Sequence, residues 1–181
     1  MKKYLFVLLV NTIFFTFSAC NNDKESTNVE TVSLKQKLPS TTIEILSEKE
    51  IIDFIDTWRN VYNTHTFENY IKFYDPVNFK GIKRTFEGKR NVYDFIGWKE
   101  NKINEFARFS PEVIVENIMI KYINVDGKSK VNFIQKWISY KTSYADEGEK
   151  SMIIKKVKGE ILIESEELLY SKKLYDYFGG C

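Results

Sequence analysis

Hydrophobic and polar positions divide the chain into three stretches. Residues 4–17 form a nearly unbroken apolar run behind Lys2 and Lys3. Residues 21–40 are polar, carry scattered charges and no aromatics, and close near Pro39, so they cannot bury enough surface to fold. From residue 41 onward apolar side chains recur with regular periods, which places the folded part there.

The first periods are helical. Ser47-Glu48-Lys49-Glu50 is a capping box, with Ser47 as the cap and Glu50 reaching back to it. Ile51, Ile52, Phe54, Ile55, Trp58, Val61 and Tyr62 then recur every three or four residues and predict a helix over 48–63. Thr66 opens a second helix carrying Phe67, Tyr70, Ile71, Phe73 and Tyr74, stopped by Asp75-Pro76. Residues 77–89 hold two glycines and read as a short strand or loop. A third helix is predicted over 90–108, with Val92, Phe95, Ile96, Ile103 and Phe106 on its apolar side and Trp98 nearby.

After Pro111 the period becomes two. Val113, Val115, Ile118, Ile120 and Tyr122 alternate as in a strand, with a slip near Glu116-Asn117 that reads as a bulge. Asp126-Gly127 and Lys158-Gly159 supply turns, and further strands are predicted over 130–144, 150–157 and 160–166. Helices first and strands afterwards imply an α+β domain, with helices on one face of a curved antiparallel sheet.

That order resembles the nuclear transport factor 2-like cone, and local segments carry the resemblance further: Phe133-Ile134-Gln135-Lys136-Trp137, Tyr144-Ala145-Asp146-Glu147-Gly148-Glu149-Lys150, and Gly159-Glu160-Ile161-Leu162-Ile163-Glu164. They are similar to nuclear transport factor 2-like domains appended to L,D-transpeptidase-type and other bacterial envelope proteins. The last strand departs from that pattern in having Glu160 or Ile161 where it has Trp, and Trp98-Lys99 are adjacent rather than spaced. The resemblance covers about residues 47–166 and implies three helices packed on a strongly bent antiparallel sheet, in a non-enzymatic binding domain with a tapering pocket. It brings no catalytic residues and no cofactor.

The N-terminal run changes the picture of where such a domain works. Two lysines, an apolar run too short to span a bilayer, and Ser18-Ala19 before Cys20 have the layout of a secretory signal. Phe17-Ser18-Ala19-Cys20 resembles a lipobox, which implies cleavage before Cys20 and acylation of its thiol. The expected organisation is a signal peptide over 1–19, a lipidated Cys20 with a polar tether over 20–40, the cone over 41–166, and an amphipathic tail over 167–181. The expected location is the cell envelope, held to a membrane through the lipid. Asn21 after the cysteine favours the outer membrane by the same resemblance.

The chain has 27 basic and 25 acidic residues, and removing residues 1–19 takes away Lys2 and Lys3, leaving 25 of each. A near-neutral mature protein gives no support for nucleic-acid binding. With Cys20 acylated, Cys181 has no partner within the chain.

His65 is the single histidine, so a zinc cluster of the usual kinds cannot be assembled and no metal is expected. No Gly-x-Ser-x-Gly elbow and no glycine-rich phosphate loop is present. Asp56, Tyr62, Tyr74 and Asp75 could be recruited for acid–base work in a pocket. Asp56 lies off the apolar stripe and Asp75 belongs to the Asp-Pro stop, so both read as solvated. Glu164 reads as a cross-sheet partner of Lys150.

Gln135 shares strand parity with Val131, Phe133 and Trp137, so it should point into apolar space. Its amide either bonds the backbone or Tyr62 structurally, or serves a ligand. Trp58, Tyr62, Trp98, Gln135 and Trp137 are the expected lining of one tapering cavity.

On the other face of that strand, Ile134, Ile138 and Tyr140 are too apolar for open water. The tail, with Leu168, Leu169, Leu174, Tyr175 and Phe178 at helix-like spacing, or a second subunit is the expected cover. The expected function is a non-catalytic envelope lipoprotein that binds a partner protein, a cell-wall fragment or a small apolar ligand. The alternatives are a small pocket enzyme of the isomerase or dehydratase kind, and a purely structural surface protein.

Overall fold

A computed structural model describes residues 44–85, 87–175 and 177–178; Cys20, Cys181 and the signal and tether regions lie outside the described residues. The elements are α1 (Glu48–Asn63), a single-turn α2 (Phe67–Tyr70) continued by a 3₁₀ turn (Ile71–Phe73), β1 (Lys80–Arg84), β2 (Arg90–Tyr93), α3 (Phe95–Phe109), β3 (Glu112–Val125), β4 (Lys128–Ser139), β5 (Tyr144–Val157), β6 (Glu160–Leu168) and β7 (Lys172–Lys173). The architecture is an α+β cone with helices over one face of a curled seven-stranded sheet of order β2-β1-β6-β5-β4-β3, with β7 added on β5.

Helix α1 starts where the capping box places it. The Glu50 carboxylate accepts from the Ser47 N–H at 2.8 Å and Ser47 Oγ accepts from the Glu50 N–H, an arrangement worth about 1 kcal/mol. Its buried stripe is Ile51, Phe54, Ile55, Trp58 and Tyr62, and Lys156 of β5 ties Glu50 to the sheet at 2.9 Å.

The sheet bends where the ladder slips. Pairing of β3 with β4 shifts register between Glu116 and Met119, and Asn117 there adopts a φ of 54°, a left-handed conformation that asparagine tolerates. The same ladder slips twice more, between Ile120 and Tyr122 and between Tyr122 and Val125, and the β5–β6 ladder slips between Ile153 and Ile154. The concave face is filled by Trp58, Tyr62, Tyr70, Tyr74, Phe133, Met152, Ile154 and Ile163, all fully buried.

Several expectations are corrected. Residues 90–93 form a strand rather than the start of a helix, and α3 begins only at Phe95, capped by Asp94 accepting from the Gly97 N–H at 2.8 Å. Ile96 and Ile103, expected on its apolar side, are 60% and 43% exposed; the inward stripe is Trp98, Lys102 and Phe106. The strand expected over 150–157 extends back to Tyr144.

The sheet is not wholly antiparallel, because β1 pairs with β6 in parallel. The helix-like spacing after residue 167 does not yield a helix among the described residues; β6 runs to Leu168 and Lys172–Lys173 pair with β5. Asp75 is only 5% exposed, bound by Lys155 at 2.5 Å and by Asn78 and the Val77 N–H. Burial pushes its carboxyl up, but those donors outweigh burial and hold it below the usual carboxylate range. Glu164 bonds Lys128 and Lys155, whereas Lys150 belongs to Glu166.

Candidate functional site

The inward parity of the central strands assembles the site. On β4, Phe133, Gln135 and Trp137 face Lys150, Gly148 and Asp146 of β5 as direct cross-strand partners. Glu166 and Leu168 of β6 continue the surface, and α3 brings Trp98, Lys102, Glu105 and Phe109 over it at spacings of three and four residues. Between them lies a cavity of about 400 Å³, walled among others by Trp98, Lys102, Glu105, Gln135, Trp137 and Asp146. A larger cleft of about 480 Å³ lies between α1 and the start of β6, lined by Phe54, Thr57, Phe73 and Ile161. Among the described residues, three of the five buried side-chain atoms without partners, Gln135 Oε1, Trp98 Nε1 and Arg84 Nε, belong to residues of the cone wall and none to the cleft, so the cone is the candidate site.

Of the five residues expected to line the cavity, Trp98, Gln135 and Trp137 stand at its wall. Trp58 and Tyr62 lie one layer behind. The Trp58 indole N–H donates to the Tyr74 hydroxyl at 3.1 Å, and the Lys150 ammonium rests 5.1 Å above its ring. Tyr62 donates to Glu105 and accepts from the Trp137 indole at 3.0 Å, connecting the sheet wall to the helix wall.

The floor is charged, which the apolar pattern did not announce. Glu105 accepts from Tyr62, Lys83 and Lys102; Glu166 accepts from Lys150 and Tyr74, whose hydroxyl also meets that of Tyr70. Lys102 is 3% exposed and sits among the rings of Tyr62, Trp98 and Tyr70 at 4.9, 5.0 and 5.8 Å.

Burial pushes the Lys102 ammonium down to about 8, with Glu105 opposing that and Lys83 and Lys150 adding to it. Burial pushes Glu105 up, but Lys102 and Lys83 hold it well below the usual carboxylate range; burial likewise pushes Glu166 up, and Lys150 with Lys102 outweighs it and lowers that carboxyl. The same burial, reinforced by the carboxylates, raises the hydroxyls of Tyr62, Tyr70 and Tyr74 far above the ordinary phenol.

Two acceptors differ from this saturated network. Gln135 is 6% exposed, and its amide oxygen has no hydrogen-bond partner among the described residues. The structural bond expected to the backbone or to Tyr62 is not formed. Asp146 receives Tyr144 at 3.1 Å and Ser171 at 3.0 Å, both on the same oxygen. Burial raises its carboxyl above the usual value, with Ser171 and Tyr144 opposing. The same burial, with Asp146 beside it, pushes the Tyr144 hydroxyl up to about 12.

Outside the cavity, His65 lies at the α1–α2 junction with Nε2 on the Pro111 carbonyl at 2.7 Å, and Asp56 is an exposed partner of Arg59 at 3.4 Å. Reasoning from sequence missed Lys102, Glu105, Lys150, Glu166 and Asp146. Lys102 and Glu105 could have been found from their three- and four-residue spacing to Trp98 and Phe109, and Lys150 and Asp146 from sharing parity with Gly148.

No protein-family model and no curated protein matches the chain. Solved structures do match, and they define the class by fold. The chain is similar to a nuclear transport factor 2-like (NTF2-like) protein of unknown function from Pseudomonas putida, at 9% identity and a TM-score of 0.54 over 72% of this chain and 89% of that one. It is similar to the beta subunit of benzoate 1,2-dioxygenase from Burkholderia mallei, at 12% identity and a TM-score of 0.58 over 75% and 95%. It is also similar to Bd1075 of Bdellovibrio bacteriovorus, at 22% identity and a TM-score of 0.54 over 66% of this chain, of which it spans 39%. The described domain therefore has the NTF2-like fold.

Proposed function

We propose that the protein is a lipid-anchored envelope protein whose cone domain binds a small ligand in the cavity between α3 and β4–β5. The carrying observation is Gln135, an amide buried in a cavity wall whose oxygen has no partner among the described residues, although the Glu105 and Glu166 carboxylates of the same cavity are each held by several donors. A buried acceptor without a donor costs about 1–3 kcal/mol, a cost that a ligand donor would remove. The charged floor favours a polar ligand over an apolar one. Anchoring rests on Ser18-Ala19-Cys20 behind the short apolar run, and the cleaved, acylated Cys20 would face the periplasm from the outer membrane. Of the outer-face residues, Ile138 is fully buried within the chain and Tyr140 meets Phe178 of the tail at 5.8 Å, which favours the tail over a second copy as the cover of that face.

The fold itself brings no chemistry, because NTF2-like neighbours include both a dioxygenase subunit and proteins of unknown function. A pocket enzyme is the second reading, favoured by Lys102, whose ammonium titrates near the working pH beside the cavity. Thermal-shift screening of small polar molecules against wild type and Gln135→Leu tests the binding reading. Hits that lose affinity in the variant support it, and a screen with no hits overturns it. Turnover of a hit, abolished in Lys102→Met, would select the enzyme. Membrane fractionation of Cys20→Ser tests the anchor; a variant that stays membrane-bound overturns it.

A further inference from the structure

The two walls of the cavity carry opposite unmet needs, and together they specify a ligand class. On the helix side, Lys83 and Lys102 share one carboxylate, Glu105, so one positive charge stays uncompensated. Each ammonium has three donors, of which Lys83 spends two, on Glu105 and on Asn101 at 2.6 Å. An adjoining recess of about 270 Å³ shares Lys83, Glu105, Phe109 and Trp137 and adds Arg108, extending the positive wall. Lys150 and Glu166 neutralise each other.

On the sheet side the need is reversed. Among the described residues, the Gln135 amide oxygen has no partner, and Asp146 has both of its hydrogen bonds on Oδ2 and none on Oδ1. Trp137 is the direct cross-strand partner of Asp146, and Gln135 that of Gly148, so the two acceptors are diagonal neighbours on one face. The rings of Trp137 and Tyr144 stand beside them, 5.8 Å apart, and an aromatic flank favours a cation.

We propose that the cavity takes a small zwitterion on the scale of a free amino acid, its ammonium between Gln135 and Asp146 and its carboxylate toward Lys83 and Lys102. A monofunctional acid would leave the two acceptors unmet, and a monofunctional amine would leave the lysine charge unmet. This rests on the cavity being a binding site.

The test is calorimetric titration of the detergent-solubilised full-length protein with glycine, β-alanine, 4-aminobutyrate and 5-aminovalerate, each compared with butylamine and butyrate. At least one amino acid should bind about tenfold or more tightly than either monofunctional compound, the worth of one charge-assisted bond. Asp146→Asn, which keeps the acceptor for Tyr144 and Ser171, should remove that advantage, and Lys83→Met should remove it from the other end. Gln135→Leu provides a third variant with the charges intact. Butylamine or butyrate binding as tightly as the amino acids, or variants that leave amino-acid affinity unchanged, would overturn the proposal. Binding of other polar compounds without amino acids would sink the zwitterion and leave the site standing, whereas no binding by anything would sink both.

Discussion

Gln135→Leu separates a ligand-serving amide from a structural one, and the structure gives the expected size. The side chain is 6% exposed and its oxygen has no donor among the described residues, so the native domain carries a desolvation cost of about 1–3 kcal/mol at this position. Leucine has similar volume, adds apolar contact with its inward neighbours Phe133 and Trp137, and removes the orphaned acceptor. Water in the cavity offsets part of the native cost, so the net gain should be about 1 kcal/mol. For a domain of this size that raises Tm by roughly 3–5 °C. Urea melts should show a higher midpoint at unchanged slope, because the surface exposed on unfolding barely changes. Destabilisation by more than about 1 kcal/mol would refute the reasoning, since it would mean that the amide holds a backbone partner and Gln135 has no acceptor to offer a ligand.

Glu166→Leu should destabilise by about 3–5 kcal/mol in urea melts, because it strands the buried Lys150 ammonium, and Lys150→Met in the same chain should recover most of that loss. Stability should rise as pH climbs from about 8 toward 10, because the folded Lys102 releases its proton there while the unfolded chain, with its lysine at 10.5, retains it. The slope approaches about 1.4 kcal/mol per pH unit at most, and denaturation of Lys102→Met across the same range should lack it. Asp146→Asn should stabilise the protein at neutral pH and lose that advantage under acid, since a carboxyl raised by burial destabilises the fold only when ionised; paired melts at two pH values check this. Gly148→Ala should release the segment after Leu168 to proteases while the cone stays folded, because a Cβ there would lie 2.1 Å from the Tyr170 carbonyl oxygen.

Local signals were legible wherever one residue's environment depends on its sequence neighbours. The Ser47–Glu50 capping box, the α1 stripe through Trp58 and Tyr62, the bulge at Asn117 and the turns at Gly127 and Gly159 are all set by backbone propensity and hydrogen bonds within a few residues. Strand parity likewise placed Gln135 and Trp137 on one inward face, since the side-chain period of two needs no tertiary information.

The phase of α3 was misread for a physical reason. Its inward stripe carries Lys102 and Glu105, which neutralise each other inside the fold, and a rule that sends apolar residues inward cannot see an ion pair that will form. Asp75 failed in the same way, because Lys155 on β5 reaches it only once β6 is laid beside the end of the 3₁₀ turn, where the Asp75 N–H donates to the Ile163 carbonyl at 3.0 Å. The amino-acid sequence by itself determined the opening helices and the closing antiparallel strands, the caps and turns, and which positions of the central strand β4 face the cone. Only the tertiary structure decided that those positions surround a charged cavity, because pairing Lys150 with Glu166, Lys83 with Glu105 and Trp137 with Tyr62 joins residues far apart in the chain, and burial gives those pairs their altered protonation.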